Sequence, residues 1–395
     1  MKKSVLSKVA IVGLVSILPM VCFTNLSFSY ESNFQGLGDL PGGLYFSKAF
    51  GVSPDGSVVV GQSNSGKGME AFVWTASEGM VGLGDFDEKM AFSLATAVSA
   101  NGIVVGRGRL SNHHHAFRWT RQKGISDLGK TEGNSVSTEA LGISANGRAI
   151  VGNILGDKSS TNHKQAYLWT EQSGFKELGD LPGGGDGSYA YAVASDGQVV
   201  VGRSKSANGS EAFYWTEEKG MMALGDLPGG EFFSTALGVS SDGNVVVGFG
   251  TTRTGAQAFR WTKSTGMVWL GEVPGVKAGS AAFDASKDGS VIVGTITYGE
   301  AGEEAFIWDS TSGFQHLESV LKNDYGLKQE LKGWTLEQAL SMSDDGSTIV
   351  GFGVNPQGKR EGWMARIKKP LDDPDQNTPD VQQMSQDSKN SENGK

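Results

Sequence analysis

The feature that most constrains this chain is a repeat. An Asp-Gly or Asn-Gly pair, then a valine-rich run, then a glycine, occurs seven times between residues 55 and 351. The turn glycines are Gly56, Gly102, Gly147, Gly197, Gly243, Gly289 and Gly346. Each copy is followed by an alanine, an aromatic residue and a tryptophan, the tryptophans being Trp74, Trp119, Trp169, Trp215, Trp261, Trp308 and Trp363. They recur 45 to 55 residues apart. A Leu-Gly-Asp-Leu segment or a variant of it stands between copies, its carboxylates being Asp39, Asp85, Asp180 and Asp226, with Glu272 and Glu318 as variants. Self-similarity at this period marks a repeat architecture in which each unit buries its apolar face against its neighbours.

Each unit offers four strands, a to d. In the first copy these are 48–53, 57–61, 71–75 and 80–85. Asp-Gly suits the a–b turn, because glycine enters the left-handed region freely and aspartate tolerates it. Strand b does not alternate (Val58-Val59-Val60), which predicts cover on both faces. The glycine that closes it predicts a close backbone approach. Four strands per 45–50 residues point to an all-β, seven-bladed β-propeller. A β-helix would need a much shorter coil. A d-type strand (34–40) precedes the first a strand, and none follows the last c strand (362–367). The N-terminal strand is therefore expected to complete the last blade and close the ring, which removes both exposed edges. Between His316 and Gly333, Leu317, Val320, Leu321 and Tyr325 share one helical face, so a short helix is expected there.

These residues carry a resemblance. The chain resembles the HAF-repeat family of bacterial "probable extracellular repeat" proteins. The family tripeptide stands literally as His115-Ala116-Phe117, followed by Arg118-Trp119-Thr120, and Leu-Gly-Asp-Leu-Pro-Gly-Gly stands at 37–43, 178–184 and 224–230. So does Gly333-Trp334-Thr335-Leu336 before the final copy. The resemblance covers about 34–367. It implies an exported or surface protein and no particular reaction.

Residues 1–29 read as a signal peptide: Lys2, Lys3 and Lys8, an apolar run from Val9 to Cys22, and small residues at Ser27 and Ser29. Cys22 is the only cysteine, so the mature chain is expected to hold no disulfide. The expected domains are this segment, a propeller over 30–367 and a disordered polar tail over 368–395. The formal charge of −9 argues against nucleic acid as a partner. No apolar run after the signal segment reaches membrane length. The protein is read as a monomer without a cofactor.

Several motifs lose to plainer readings. Gly61 to Gly68 approaches a phosphate loop, but its last position is glycine and a strand follows where a helix is needed. His113, His114 and His115 are consecutive, so they cannot all face one metal from a strand. Gly183 to Gly187 resembles one calcium nonapeptide, and such sites need tandem copies. The recurring acidic residues are read as capping the turns that follow them, and Lys130 breaks their series. No catalytic elbow, HExxH or dinucleotide motif stands in the chain.

The a–b and c–d turns are short and uniform. The b–c and d–a connections vary, and strand alternation places both at one end. Variable loops on a rigid scaffold carry function. The d–a connections hold Tyr45, Phe46, Phe92, Tyr189, Phe232, Phe233 and Trp334. The b–c connections hold Arg107, Arg109, Arg203 and Arg253, with Lys67, Lys158 and Lys164. These are the expected ligand-binding residues of an exported, non-catalytic binding protein that takes a glycan or a protein partner. The competing readings are a polysaccharide hydrolase or lyase with carboxylates at the channel mouth, and a structural envelope component.

Overall fold

The computed structural model describes residues 32–86, 91–129, 136–156, 164–273 and 278–367. The expected signal segment and polar tail, with Lys130 and Lys158, lie outside the described residues. The described chain is all-β with a propeller arrangement. Each of the seven copies contributes a meander of antiparallel strands. The first is Gly42–Val52, Val58–Ser65, Gly68–Thr75 and Gly79–Gly84.

Seven separate blades are not what the hydrogen bonds form. The strands make six sheets: five stand alone as blades of four or five strands, and the sixth has eight. The eight-stranded sheet joins the fourth and fifth copies. Its seam is a parallel pairing of Ser210, on Gly209–Thr216, with Phe233, on Gly229–Val239. The same approach occurs between the first and second copies, where Gly68 and Met69 pair with Ala91 and Phe92. There the incoming strand is split into Ala91–Phe92 and Leu94–Val98, so the two sheets stay apart.

The N-terminal strand does what the count of elements predicts. Asn33–Gly36 pairs antiparallel with Arg360–Arg366, Phe34 lying opposite Ala365. Two sets of bonds tie the copies to one another. A serine or threonine near the start of strand a bonds the strand-c backbone of the copy before it, as in Ala71 to Ser93 (2.9 Å), Ala166 to Ser188 (3.1 Å) and Ala258 to Ser280 (2.9 Å). The Gly362 amide to the Ser47 hydroxyl (3.0 Å) repeats that bond from last copy to first. A belt of backbone bonds links the a–b turns: Ala100 to Ala145 to Ser195 to Ser241, and Asp242 to Lys287 to Asp344 to Pro54. Its one gap falls at Pro54, which has no N–H to donate to the next turn.

The repeat glycines have two distinct jobs. Gly56 and its six counterparts sit at φ between 64° and 79°, which other residues adopt only at a cost. The glycines that close strand b have no room for a side chain. A Cβ on Gly61 would run into the Lys48 carbonyl oxygen, and the same clash recurs at Gly106, Gly152, Gly202, Gly248, Gly294 and Gly351. Each faces a bulge in strand a, such as that between Ala49 and Gly51.

The core lies between the copies. Phe72, Phe117, Tyr167, Phe213, Phe259 and Phe306 are fully buried, each opposite a strand-b glycine. Trp363 corrects the sequence alignment. It lies opposite Gly351 and so takes the phenylalanine position, while Ala365 takes the tryptophan position. The reason is space: Phe34 and Trp334 fill the last copy beside Trp363, with Phe34 edge-on to Trp334 at 5.2 Å. Other repeat tryptophans bridge neighbours, as Trp169 and Trp308 donate to the carbonyls of Leu128 and Leu270 at 3.0 Å. The expected helix is Leu317–Asn323, with Leu317, Val320 and Leu321 buried.

Candidate ligand-binding face

Register decides which residues meet. Gly42 opposes Ser65, Gly183 opposes Ser206 and Gly229 opposes Thr252. The d–a connections and the b–c turns therefore share one end of the ring, as expected.

The local structure at that end differs from the expectation of long loops. Strand a begins early, so Tyr45, Phe46, Tyr189, Phe232 and Phe233 stand on strands. Arg107 and Arg109 lie on Val104–Leu110, and Arg203 lies on Val199–Ser206. In these copies the b–c connections are two-residue turns, and Arg253 sits in one of them. Glycine pairs make this possible. A Cβ on Gly43 would lie 2.6 Å from the Asn64 carbonyl oxygen, and one on Gly230 would lie 2.7 Å from that of Thr251. Only bare backbone lets the early part of strand a lie on strand b.

The face is partly apolar. Leu44, Tyr45, Phe92, Leu110 and Phe232 are exposed there, Leu44 by 82%. Two of the predicted aromatics, Trp334 and Phe233, are spent on packing. Trp334 closes on Phe34, and Phe233 stacks on Phe249 at 5.9 Å. Phe92 lies over His114 at 5.4 Å, and burial holds that imidazole below its usual pKa. Burial and the hydrogen bond to Glu361 push the Tyr45 hydroxyl above its usual range.

Several of the basic residues are neutralised. Arg107 pairs with Glu139 at 2.6 Å, and Arg360 with Glu337 at 2.9 Å. Lys48 sits 3.8 Å from the centre of the Phe352 ring, which Arg360 also approaches at 5.6 Å. Burial, then Arg360, holds the Lys48 ammonium below its usual pKa. Arg203 is different. Its guanidinium lies between the Tyr189 ring (4.9 Å) and the Phe233 ring (5.3 Å), and Lys164 approaches Tyr189 at 5.6 Å.

The recurring carboxylates cap backbone. Asp226 accepts from the amides of Leu227 (2.8 Å), Phe233 (2.7 Å) and Thr251 (3.1 Å). Asp85 accepts from Phe86 (2.7 Å), Phe92 (2.6 Å) and Arg109 (3.0 Å). Of the three histidines, His115 faces Asp127 at 3.0 Å. No group of three His, Cys, Asp or Glu is placed to hold a metal ion among the described residues. No helix there is long and apolar enough to cross a membrane.

The channel carries its carboxylates toward the other end, by the a–b turns, rather than at the predicted mouth. Its lining includes an equivalent residue from each copy: Phe50, Thr96, Leu141, Tyr191, Leu237, Phe283 and Leu340. The free volume is about 190 Å³, below the 300–1,000 Å³ or so of ordinary ligand pockets. Asp284 and Asp344 both line it. Asp284 accepts from Ser341 (3.0 Å) and from the amides of Met342 (2.9 Å) and Ala285 (2.8 Å). Burial pushes its carboxyl up to about 6. Sequence reasoning passed over both aspartates because the other copies have no counterpart to them.

No known family model matches the chain, and no curated protein does. Among solved structures, TolB from Acinetobacter baumannii is similar at a TM-score of 0.47 and 11% identity, over 66% of this chain. The chain spans 63% of the length of that TolB. A chain of a mitotic checkpoint complex is similar at a TM-score of 0.49 and 14% identity, over 91% of this chain and 100% of that one. Prolyl oligopeptidase B from Galerina marginata is similar at 0.46 and 9% identity, over 80% of this chain and 46% of that one. With each of these scores under 0.5, the propeller assignment rests on the strand pairing itself.

Proposed function

We propose that this protein is a non-catalytic binding propeller, its seven repeat units arranged around one channel, that engages its ligand through the b–c end. The observation that carries this is the distribution of exposed apolar side chains. Of eight exposed large hydrophobic residues among the described ones, five (Leu44, Tyr45, Phe92, Leu110 and Phe232) lie at that end. Apolar exposure concentrated at one end of a fold and rimmed by polar groups marks an interaction surface. Aromatic and arginine anchors at the same end suit a glycan or a protein partner. The signal-like segment and the HAF-type motifs support an exported protein. A hydrolase reading draws less support, because Asp284 already accepts three bonds from the protein within a narrow channel. The test is an immobilised-glycan array and a thermal-shift screen run on the wild type and on a Leu44→Ser, Phe92→Ser, Phe232→Ser variant. Binding lost in the variant, with its melting temperature kept, supports the assignment. Binding unchanged in the variant refutes it.

A further inference from the structure

One register position recurs in all seven copies, and its partners differ from copy to copy. In five copies the residue after the strand-b glycine reaches toward the next copy. Gln62 donates to the Ser93 carbonyl (2.9 Å), and Arg107 pairs with Glu139 (2.6 Å). Asn153 accepts from the Ala190 amide (2.9 Å), and Thr295 donates to the Glu337 carbonyl (3.2 Å). Phe352 receives Lys48, whereas the apolar Phe249 stacks on Phe233 of its own copy. Arg203 is the remaining member.

Arg203 and Arg107 occupy the same place, after Gly202 and Gly106. Glu139 and Thr235 also occupy one place, each before the alanine that opposes the next copy's glycine. So where Arg107 meets Glu139, the fold offers Arg203 a threonine. Two observations agree that something is missing. The Arg203 guanidinium has no carboxylate or hydrogen-bond acceptor among the described residues, although two rings hold it in place. The Thr235 hydroxyl, 2% exposed, is buried without a hydrogen-bond partner there. A buried hydroxyl left unmatched is costly, and a guanidinium presents a planar fork shaped for a carboxylate.

We propose that Arg203, where Thr235 leaves the position of Glu139 without a carboxylate, binds a ligand carboxylate carried on a sugar ring. The ligand carboxylate takes the place that Glu139 fills beside Arg107. It accepts from the planar fork of Arg203. Tyr189 and Phe233 flank the guanidinium, and the exposed Phe232 stands at the same end of the ring. The rings beside the guanidinium are why an acidic sugar is favoured over the flexible acidic side chain of a peptide. The inference rests on the b–c end being the binding face.

The test is calorimetric titration of the full chain with trigalacturonate, uncharged galactotriose and a glutamate-rich peptide. The proteins are the wild type, Arg203→Gln and Thr235→Glu. The wild type is expected to bind trigalacturonate at least about tenfold tighter than galactotriose, the scale of a charge-assisted pair. Arg203→Gln erases that difference. Thr235→Glu supplies the missing carboxylate from within, so it blocks trigalacturonate. If Thr235→Glu does not fold, Arg203→Gln alone decides. Equal binding of both sugars, untouched by Arg203→Gln, overturns this site and leaves the binding face standing. Tighter binding of the peptide through Arg203 overturns the sugar assignment. Failure of every ligand to bind the wild type overturns the site. The face reading then stands or falls on its own array and thermal-shift test.

Discussion

Substituting Phe34→Ala strikes the closing strand at its anchor. Phe34 is 6% exposed and packs in one cluster with Leu336, Ile349 and Trp363. Its ring lies edge-on to Trp334 at 5.2 Å and 6.1 Å from Trp363. Removing a buried phenylalanine costs about 3–5 kcal/mol, the transfer term plus a cavity. Two aromatic contacts go with it, each contributing about 0.5–1.5 kcal/mol beyond area. Neither neighbour moves easily into the gap, because Trp363 is fully buried against the strand-b glycine Gly351. The upper half of the range, about 4–5 kcal/mol, is therefore expected. Urea denaturation followed by tryptophan fluorescence reads it, with Leu44→Ala, at an 82% exposed position, as the control expected within about 0.5 kcal/mol of wild type. A loss below about 1 kcal/mol for Phe34→Ala refutes the reasoning, since it makes the N-terminal strand peripheral to the last sheet.

Two further perturbations separate physical causes. Gly61→Ala places a methyl against the Lys48 carbonyl and the Phe72 ring, whereas Gly102→Ala meets nothing within 4 Å and suffers only from its φ of 75°. Melting experiments are expected to show about 3 kcal/mol or more lost at Gly61 and about 1–2 kcal/mol at Gly102; equal losses contradict the account. Asp284→Asn tests the channel. Burial raises the folded-state pKa from 3.8 to about 6, so the folded protein binds this proton more tightly than the unfolded chain. The stability of the wild type relative to the asparagine variant is then greatest at low pH. It falls by roughly 3 kcal/mol as pH rises through the interval between the two values. A difference independent of pH refutes the assignment.

What the sequence made legible follows from side chains that recur. The turn glycines, the strand-b glycines and the buried aromatics repeat because each copy meets the same steric demand, so their jobs could be read directly. Ring closure was legible from counting strands. The early start of strand a was not, because Gly42-Gly43 resembles a turn until its pairing with strand b is known. The seam between the fourth and fifth copies rests on one pairing, Ser210 with Phe233, which leaves no trace in composition. Trp363 was misaligned for a similar reason. A tryptophan two positions from a tryptophan site resembles a member of the series, and only its register opposite Gly351 shows otherwise. On the face, residue types were legible and their pairing was not. Arg107 and Arg203 look alike in sequence, and what separates them is whether the next copy presents Glu139 or Thr235.

The measurement that tests the central claim most directly is a thermal shift of the purified protein with acidic and neutral oligosaccharides, beside the Leu44→Ser, Phe92→Ser, Phe232→Ser variant. A ligand that binds only the folded state stabilises it by about 2.7 kcal/mol at a hundredfold excess over Kd. The account predicts a rise in melting temperature with an acidic oligosaccharide that disappears in the variant. An equal rise in both proteins would place the binding elsewhere on the ring and contradict it.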